Sequence, residues 1–279
     1  MKNQATKITK VAYLFCSMFL VSCSANNTKR AYLLAEQLWT DGYYEASVSE
    51  FENVIALDPN GKYGIQALYR AAMTQTVFLG QDNSAIEKLR VFVSKSRSES
   101  HTKESLLQIG NILFERLNLY DDAIEHYQLL LKKESLKKYH PLFAFRIGKA
   151  YFFLWKFQQA IDQFDGVANS YSGSDFEEKA VYEKGICYLA KGNSSSSLGS
   201  DEVESFKKAK ETFEELLDRF PNGKYRVKAK FGIASAYEEL DLLKDAAEKY
   251  KEIAAEYPIK EVIDVKIKRI SERMSRRNQ

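Results

Sequence analysis

Reactive and structure-breaking residues are scarce in this chain. Its 279 residues include three cysteines, Cys16, Cys23 and Cys187. No two of them form a CxxC pair, and no disulfide framework can be drawn from them. There are three histidines, His101, His126 and His140, and none has a partner at metal-ligand spacing. HExxH, GxSxG, phosphate-loop and Rossmann signatures are all missing, so nothing marks a metalloprotease, a serine hydrolase or a nucleotide enzyme. Four prolines and thirteen glycines are too few for an all-β protein with its many turns; they suit long helices joined short. The chain also lacks an excess of either charge. The formal +3 comes from Lys2, Lys7 and Lys10, and without them 38 bases face 38 acids. A basic face for nucleic acid is therefore not expected, and only the last twenty residues are locally basic.

Hydrophobic residues are plentiful at 45%, with 13% aromatic, enough for a packed core. The first ten residues carry the three lysines, and Val11–Val21 is a largely apolar run of eleven. A membrane-spanning helix needs about 20 apolar residues, whereas a signal peptide is built this way. The run closes on Leu20-Val21-Ser22-Cys23, a tetrapeptide that resembles the bacterial lipobox. The resemblance implies cleavage before Cys23 and acylation of its thiol and new amino terminus, with several acyl chains holding a domain on a bilayer. The alternatives are an ordinary secretory signal or an uncleaved anchor with a chance cysteine. Residues 1–22 are thus expected to be a signal peptide and residues 23–28 a lipidated tether. Ser24 resembles the outer-membrane sorting pattern.

One spacing then recurs: aromatic, small, large, apolar, then Pro or Ser. It runs Tyr44, Ser47, Phe51, Val54, Pro59 and returns as Tyr120, Ala123, Tyr127, Leu130, Ser135. Further copies start at Phe157, Phe206 and Leu243. The weakest copy is Asp82, Ala85, Leu89, Phe92, Arg97, which departs at both ends. The small residues stand at 47, 85, 123, 160, 209 and 246, giving intervals of 38, 38, 37, 49 and 37. The long interval holds Asn193–Ser200, a flexible loop by composition. Within each copy the small, large and apolar residues share one helix face. A first helix precedes each copy, as in Leu34, Ala35, Leu38 or Ala144, Ile147, Gly148, Tyr151. Each unit is therefore two antiparallel helices, and Val262, Ile263, Ile267, Ile270 and Met274 mark a final one.

This pattern resembles the tetratricopeptide repeat, most closely in Gly148-Lys149-Ala150-Tyr151 followed by Phe157-Gln158-Gln159-Ala160. The usual period is about 34 residues, and the surplus here is expected in the links. Pro59–Tyr63 and Pro221–Tyr225 are identical pentapeptides in such links. The expected fold is all-α: a right-handed superhelical solenoid of six tetratricopeptide-type hairpins over residues 29–258. A basic capping helix follows over residues 259–279. Longer repeats with a Pro-x-Gly-x-Tyr link behind a lipobox resemble the BamD/YbgF group of outer-membrane assembly and Tol-Pal-associated lipoproteins. The chain departs from BamD in having six repeats rather than five, and from YbgF in lacking its coiled coil.

The resemblance implies a concave groove lined by first helices that holds envelope proteins or peptides. Projecting the repeat places Trp39, Arg70, Lys149, Phe152 and Phe153 there, and aromatics with arginine favour interface centres. Phe152 and Phe153 could instead pack within their own repeat. Asp121-Asp122 reads as helix-dipole acids rather than a carboxylate pair, and Cys187 as a small buried residue rather than a reactive thiol. The basic tail reads as a solvated cap, with anionic lipid or an acidic partner as the alternative. No cofactor, metal, nucleic acid or small-molecule substrate is expected. The expected function is a non-enzymatic, lipid-anchored envelope scaffold resembling BamD. A YbgF-like coordinator of Tol-Pal or cell-wall synthesis is the second reading, and an enzyme subunit the third.

Overall fold

The computed structural model describes residues 26–194 and 199–277. Cys23, its leader and residues 195–198 of the Ser-rich insert lie outside them. Among the described residues every regular element is helical. The chain divides into two compact units at residues 118 and 119. The first holds α1 (26–40), α2 (Tyr44–Leu57), α3 (Lys62–Thr74), α4 (Asp82–Lys95) and α5 (Glu99–Asn111). The second holds α6 (Tyr120–Leu131), α7 (His140–Phe153), α8 (Phe157–Ser170), α9 (Glu177–Gly192), α10 (Ser200–Arg219), α11 (Arg226–Glu239), α12 (Leu243–Ile253) and α13 (Lys260–Arg277). Within each unit consecutive helices pack on one another, the arrangement of tetratricopeptide hairpins.

The repeated spacing is the core. Ser47, Ala85, Ala123, Ala160, Ala209 and Ala246 are all at 0% exposure, as are Phe51, Leu89, Tyr127, Phe164, Phe213 and Tyr250 four residues on. The small residue lets the preceding helix come close; Ser47 Oγ even donates to the Ala35 carbonyl at 2.9 Å. The large residue fills the space beside it. A Cβ on Gly232 of α11 would stand 2.4 Å from Phe213, and one on Gly185 of α9 2.5 Å from the same ring. Overpacking of that kind typically costs about 1–3 kcal/mol, so these helices admit only glycine there without repacking. The weakest copy is explained by chemistry. Asp82 takes a slot that is apolar or aromatic elsewhere, and it accepts from Thr76 Oγ1 at 2.7 Å and Arg116 Nε at 2.9 Å. Leu34 departs from expectation: it is 48% exposed, while its neighbour Ala35, about 100° round the helix, is fully buried.

The 37 and 38 intervals have a structural cause. α3 and α5 run on into single π turns, Gln75–Leu79 and Ile112–Arg116. Each absorbs one extra residue, as π-bulges do. From the buried small residue of the first helix to that of the second is twelve in Ala35–Ser47, Gly148–Ala160 and Ala234–Ala246. It is thirteen in Ala72–Ala85 and Gly110–Ala123, the two pairs with a π turn between them. The extra residue of the 38-residue intervals thus sits inside the first helix and not in the link.

Each first helix then turns through one left-handed residue: Gly42, Gly80, Asn118, Trp155 and Asp241. All five lie five positions before the small residue. Tyr43, Lys156 and Leu242 donate their backbone N–H back five residues, to Leu38, Tyr151 and Tyr237, a Schellman-type closure. In the fifth repeat the equivalent position, five before Ala209, is Glu204 and lies within α10.

α13 closes the second unit by burying Ile263 and Ile270 against Leu243, Ala246, Tyr250 and Ile253. Its basic residues are not all turned to solvent. Lys266 Nζ lies 2.9 Å from Glu238, which is only 4% exposed. Arg273 and Arg277 pair with Asp241. Three of the seven basic residues of α13 are therefore clips holding the cap.

Candidate functional site

The five sequence candidates fall into two clusters, one in each unit. In the first, Arg70 of α3 places its guanidinium carbon 4.5 Å from the centre of the Trp39 ring on α1. The same guanidinium donates to both oxygens of Glu36, at 2.7 and 2.8 Å, a bidentate fit that lysine cannot copy. Trp39 meets Phe78 and Tyr44 edge-on at 6.0 and 6.3 Å, and Tyr44 stacks on Phe78 at 4.0 Å. Burial, then the Glu36 carboxylate, pushes the Tyr32 hydroxyl up to about 12.

In the second unit, Lys149 of α7 lies 3.0 Å from Glu183 of α9. Its ammonium sits 5.1 Å from the centres of both Phe152 and Phe153. Phe152 leans on Phe153 and Phe157, while Phe153 stacks on Tyr120 at 5.0 Å and stays 42% exposed. Phe152 thus belongs largely to its own repeat, and Phe153 presents an open edge.

The two clusters share one geometry. Glu36 follows the small Ala35 and reaches Arg70, two residues before the small Ala72 of the next first helix. Lys149 follows Gly148 and reaches Glu183, two residues before Gly185. The separation is 34 residues in both pairs, with acid and base exchanged. Successive first helices are therefore clipped together through the positions that sequence projection assigned to a ligand. Part-exposed pairs of this kind contribute roughly 1 kcal/mol or less, so their weight lies in fixing side-chain positions. Glu36, Glu183 and Phe78 escaped the sequence reading, and Tyr120 entered it only as the first position of a repeat copy. For Phe78 a signal existed: the 38-residue interval marks the surplus residue that turns it out of register.

The other reactive residues take structural places. Cys187 is fully buried, and burial, with the Glu183 charge second, pushes its thiol up to about 12. A thiol so shifted is inert near neutral pH. Asp121 and Asp122 lie in the first turn of α6, where Asp121 accepts from Lys156 at 3.0 Å. His140 is the first residue of α7 and contacts the Lys133 carbonyl at 3.2 Å. Among the described residues no group of three or more His, Cys, Asp or Glu could hold a metal ion.

Residues 104–135 and 202–258 match two models of the tetratricopeptide repeat. No curated protein matches the chain. Among solved structures, the C-terminal part of a TPR repeat-containing protein from Cytophaga hutchinsonii is similar, with a TM-score of 0.52 and 18% identity over 80% of this chain and 78% of that one. A tetratricopeptide repeat protein from Parabacteroides merdae gives a TM-score of 0.51 at 14% identity, over 89% of this chain and 87% of that one. At these identities the likeness establishes the fold: helical hairpins of the tetratricopeptide type.

Proposed function

We propose that the protein is a non-enzymatic scaffold that holds protein partners at a membrane of the bacterial cell envelope. Its lipid anchor would be Cys23, at the outer membrane facing the periplasm, and its role would resemble that of BamD in outer-membrane protein assembly. The observation that carries the scaffold reading is the pair of aromatic and cationic clusters on first helices, Trp39 with Arg70 and Lys149 with Phe153. They are preorganised by ion pairs, yet Phe78 and Phe153 keep 44% and 42% of their surfaces open. Rigid aromatic edges beside a cation lose little freedom on binding and suit interface centres. The anchor and the envelope location rest on Lys2, Lys7 and Lys10, the Val11–Val21 run and the lipobox-like tetrapeptide.

The test is affinity capture from gently solubilised envelopes with the full chain, beside Cys23→Ala and Trp39→Ala/Phe153→Ala variants. Capture of the β-barrel assembly core, reduced in the aromatic variant and lost from membranes with Cys23→Ala, is the expected result. Capture of Tol-Pal or wall synthases would replace the BamD-like role with a YbgF-like one. Capture of nothing by the intact chain would end the scaffold reading.

A further inference from the structure

A second surface of the first unit is unlike the rest of this charge-balanced chain. A cleft of about 870 Å³ opens between α3, α4, α5 and the two links that join their hairpins. Its walls hold four permanent cations, Lys62, Arg70, Lys95 and Arg97, and no carboxylate, while Glu104, outside the lining, hydrogen-bonds the lining residue Tyr69. Glu36 offsets Arg70. Lys95 spends one proton on the Pro59 carbonyl at 2.7 Å, which leaves its charge uncompensated. Among the described residues no acid lies within ion-pair distance of Lys62, Lys95 or Arg97. In a chain whose residues beyond Lys10 hold 38 acids against 38 bases, such segregation raises the local potential and draws anions.

Arg97 also accounts for an oddity of the repeat. Five copies end on Pro or Ser, namely Pro59, Ser135, Ser172, Pro221 and Pro258; this one alone ends on an arginine. The substitution puts an exposed guanidinium at the mouth of the cleft, where a helix stop alone would ask only for Pro or Ser. Beneath it lies an aromatic floor, with Tyr69 5.3 Å from Phe92 and 5.1 Å from His101. The rim adds amides, Asn60 and Gln66. Their side chains both donate and accept hydrogen bonds, as a peptide backbone does in return. Cations for carboxylates, amides for a backbone and a ring floor for one large side chain together fit an extended polypeptide.

We propose that this cleft binds an acidic peptide segment of a partner protein, one that sets carboxylates about an aromatic residue. The proposal rests on the scaffold reading and adds a partner chemistry at a cleft that shares Arg70 and Tyr32 with the first cluster above but is otherwise built from other residues. Complementary charge of this kind governs register and association rate.

The test uses the full chain in mild detergent and a fluorescent peptide, Asp-Glu-Phe-Glu-Glu, beside its Asn-Gln-Phe-Gln-Gln counterpart. The variant Lys62→Glu/Arg97→Glu alters exposed side chains only, and Lys268→Glu/Arg269→Glu on α13 is the charge control. Saturable binding of the acidic peptide, weakened about tenfold or more by the first variant and by raising salt from about 0.05 to about 0.3 M, is expected. The control should bind as the parent does. Equal binding of the amide peptide, or parental affinity in Lys62→Glu/Arg97→Glu, overturns the proposal. So does binding to phosphatidylglycerol vesicles that the variant abolishes while no peptide binds. If the variant still captures every envelope partner of the parent and binds the peptide unchanged, the cleft is not the site and the scaffold reading stands. If the parent captures nothing, it is the scaffold reading that fails.

Discussion

Trp155 occupies a turn position that the other repeats give to Gly42, Gly80, Asn118 and Asp241, all in the left-handed region. Glycine, asparagine and aspartate visit that region readily; a bulky residue pays steric strain of roughly 1–2 kcal/mol. Trp155 is also 74% exposed, and its ring meets Phe157 edge-on at 5.7 Å. Little burial offsets the strain. Trp155→Asn should therefore raise stability by about 1 kcal/mol, read as a higher urea midpoint with an unchanged slope. A lower midpoint would mean that the Phe157 contact outweighs the backbone strain. That Trp39, Arg70, Lys149, Phe152 and Phe153 stand on first helices was legible because first-helix residues can be projected from the repeat. Their partners Glu36 and Glu183 were not. Each lies 34 residues from the group it binds, and that spacing acquires meaning only once the two helices stand side by side.

At the scale of one helix, the π turns divide the repeats into two kinds. α3 and α5 carry a residue more than a regular helix needs between its small residue and its turn, whereas α7 and α11 do not. Deleting Val77, which is 58% exposed within the first π turn, should restore the twelve-residue spacing and leave a continuous α-helix. Deleting Phe152, three residues before the turn of α7 as Val77 is before that of α3, should shorten the spacing to eleven. The buried face would then rotate by about 100° per residue removed. Far-ultraviolet circular dichroism and thermal melts should show cooperative unfolding for the Val77 deletion and a large loss for the Phe152 deletion. Equal losses would show that the π turns are not surplus residues. The helices themselves, and which of their residues are buried, could be read from the sequence, because burial follows a 3.6-residue period. The π turns could not be read directly, since a one-residue surplus has no composition of its own; only the change from 37 to 38 betrays it.

Across the whole chain, each unit is a series of neighbours in which every helix is covered by the next, and the last needs a cap. α13 supplies one. Ile263 and Ile270 are fully buried, and each contributes about 2 kcal/mol by leaving water. Lys266 and Arg273 also neutralise the buried Glu238. Ending the chain after Ile259 should open the α11–α12 hairpin, because it strips apolar cover and leaves a buried carboxylate unpaired. Limited proteolysis should then cut within α12 while α7–α9 stay protected. Resistance equal to that of the full chain would show that the hairpin caps itself.

The sequence alone determined the period, the helical hairpins, the six buried small residues with their six large partners, and the place of the insert. Those are set by which residues leave water along one strip of helix, and such strips are local. Tertiary structure decided what identical local sequences become. Pro59–Tyr63 and Pro221–Tyr225 are the same five residues, yet α3 already begins at Lys62 whereas α11 waits until Arg226. In the second copy Glu178 accepts the Tyr225 N–H at 2.7 Å, from 47 residues away, and holds the segment as a turn. Both tyrosines still reach a tyrosine of the preceding first helix, Tyr63 to Tyr32 and Tyr225 to Tyr182. Burial periodicity is written along the chain, while the partner of a charge or a backbone donor is chosen through space.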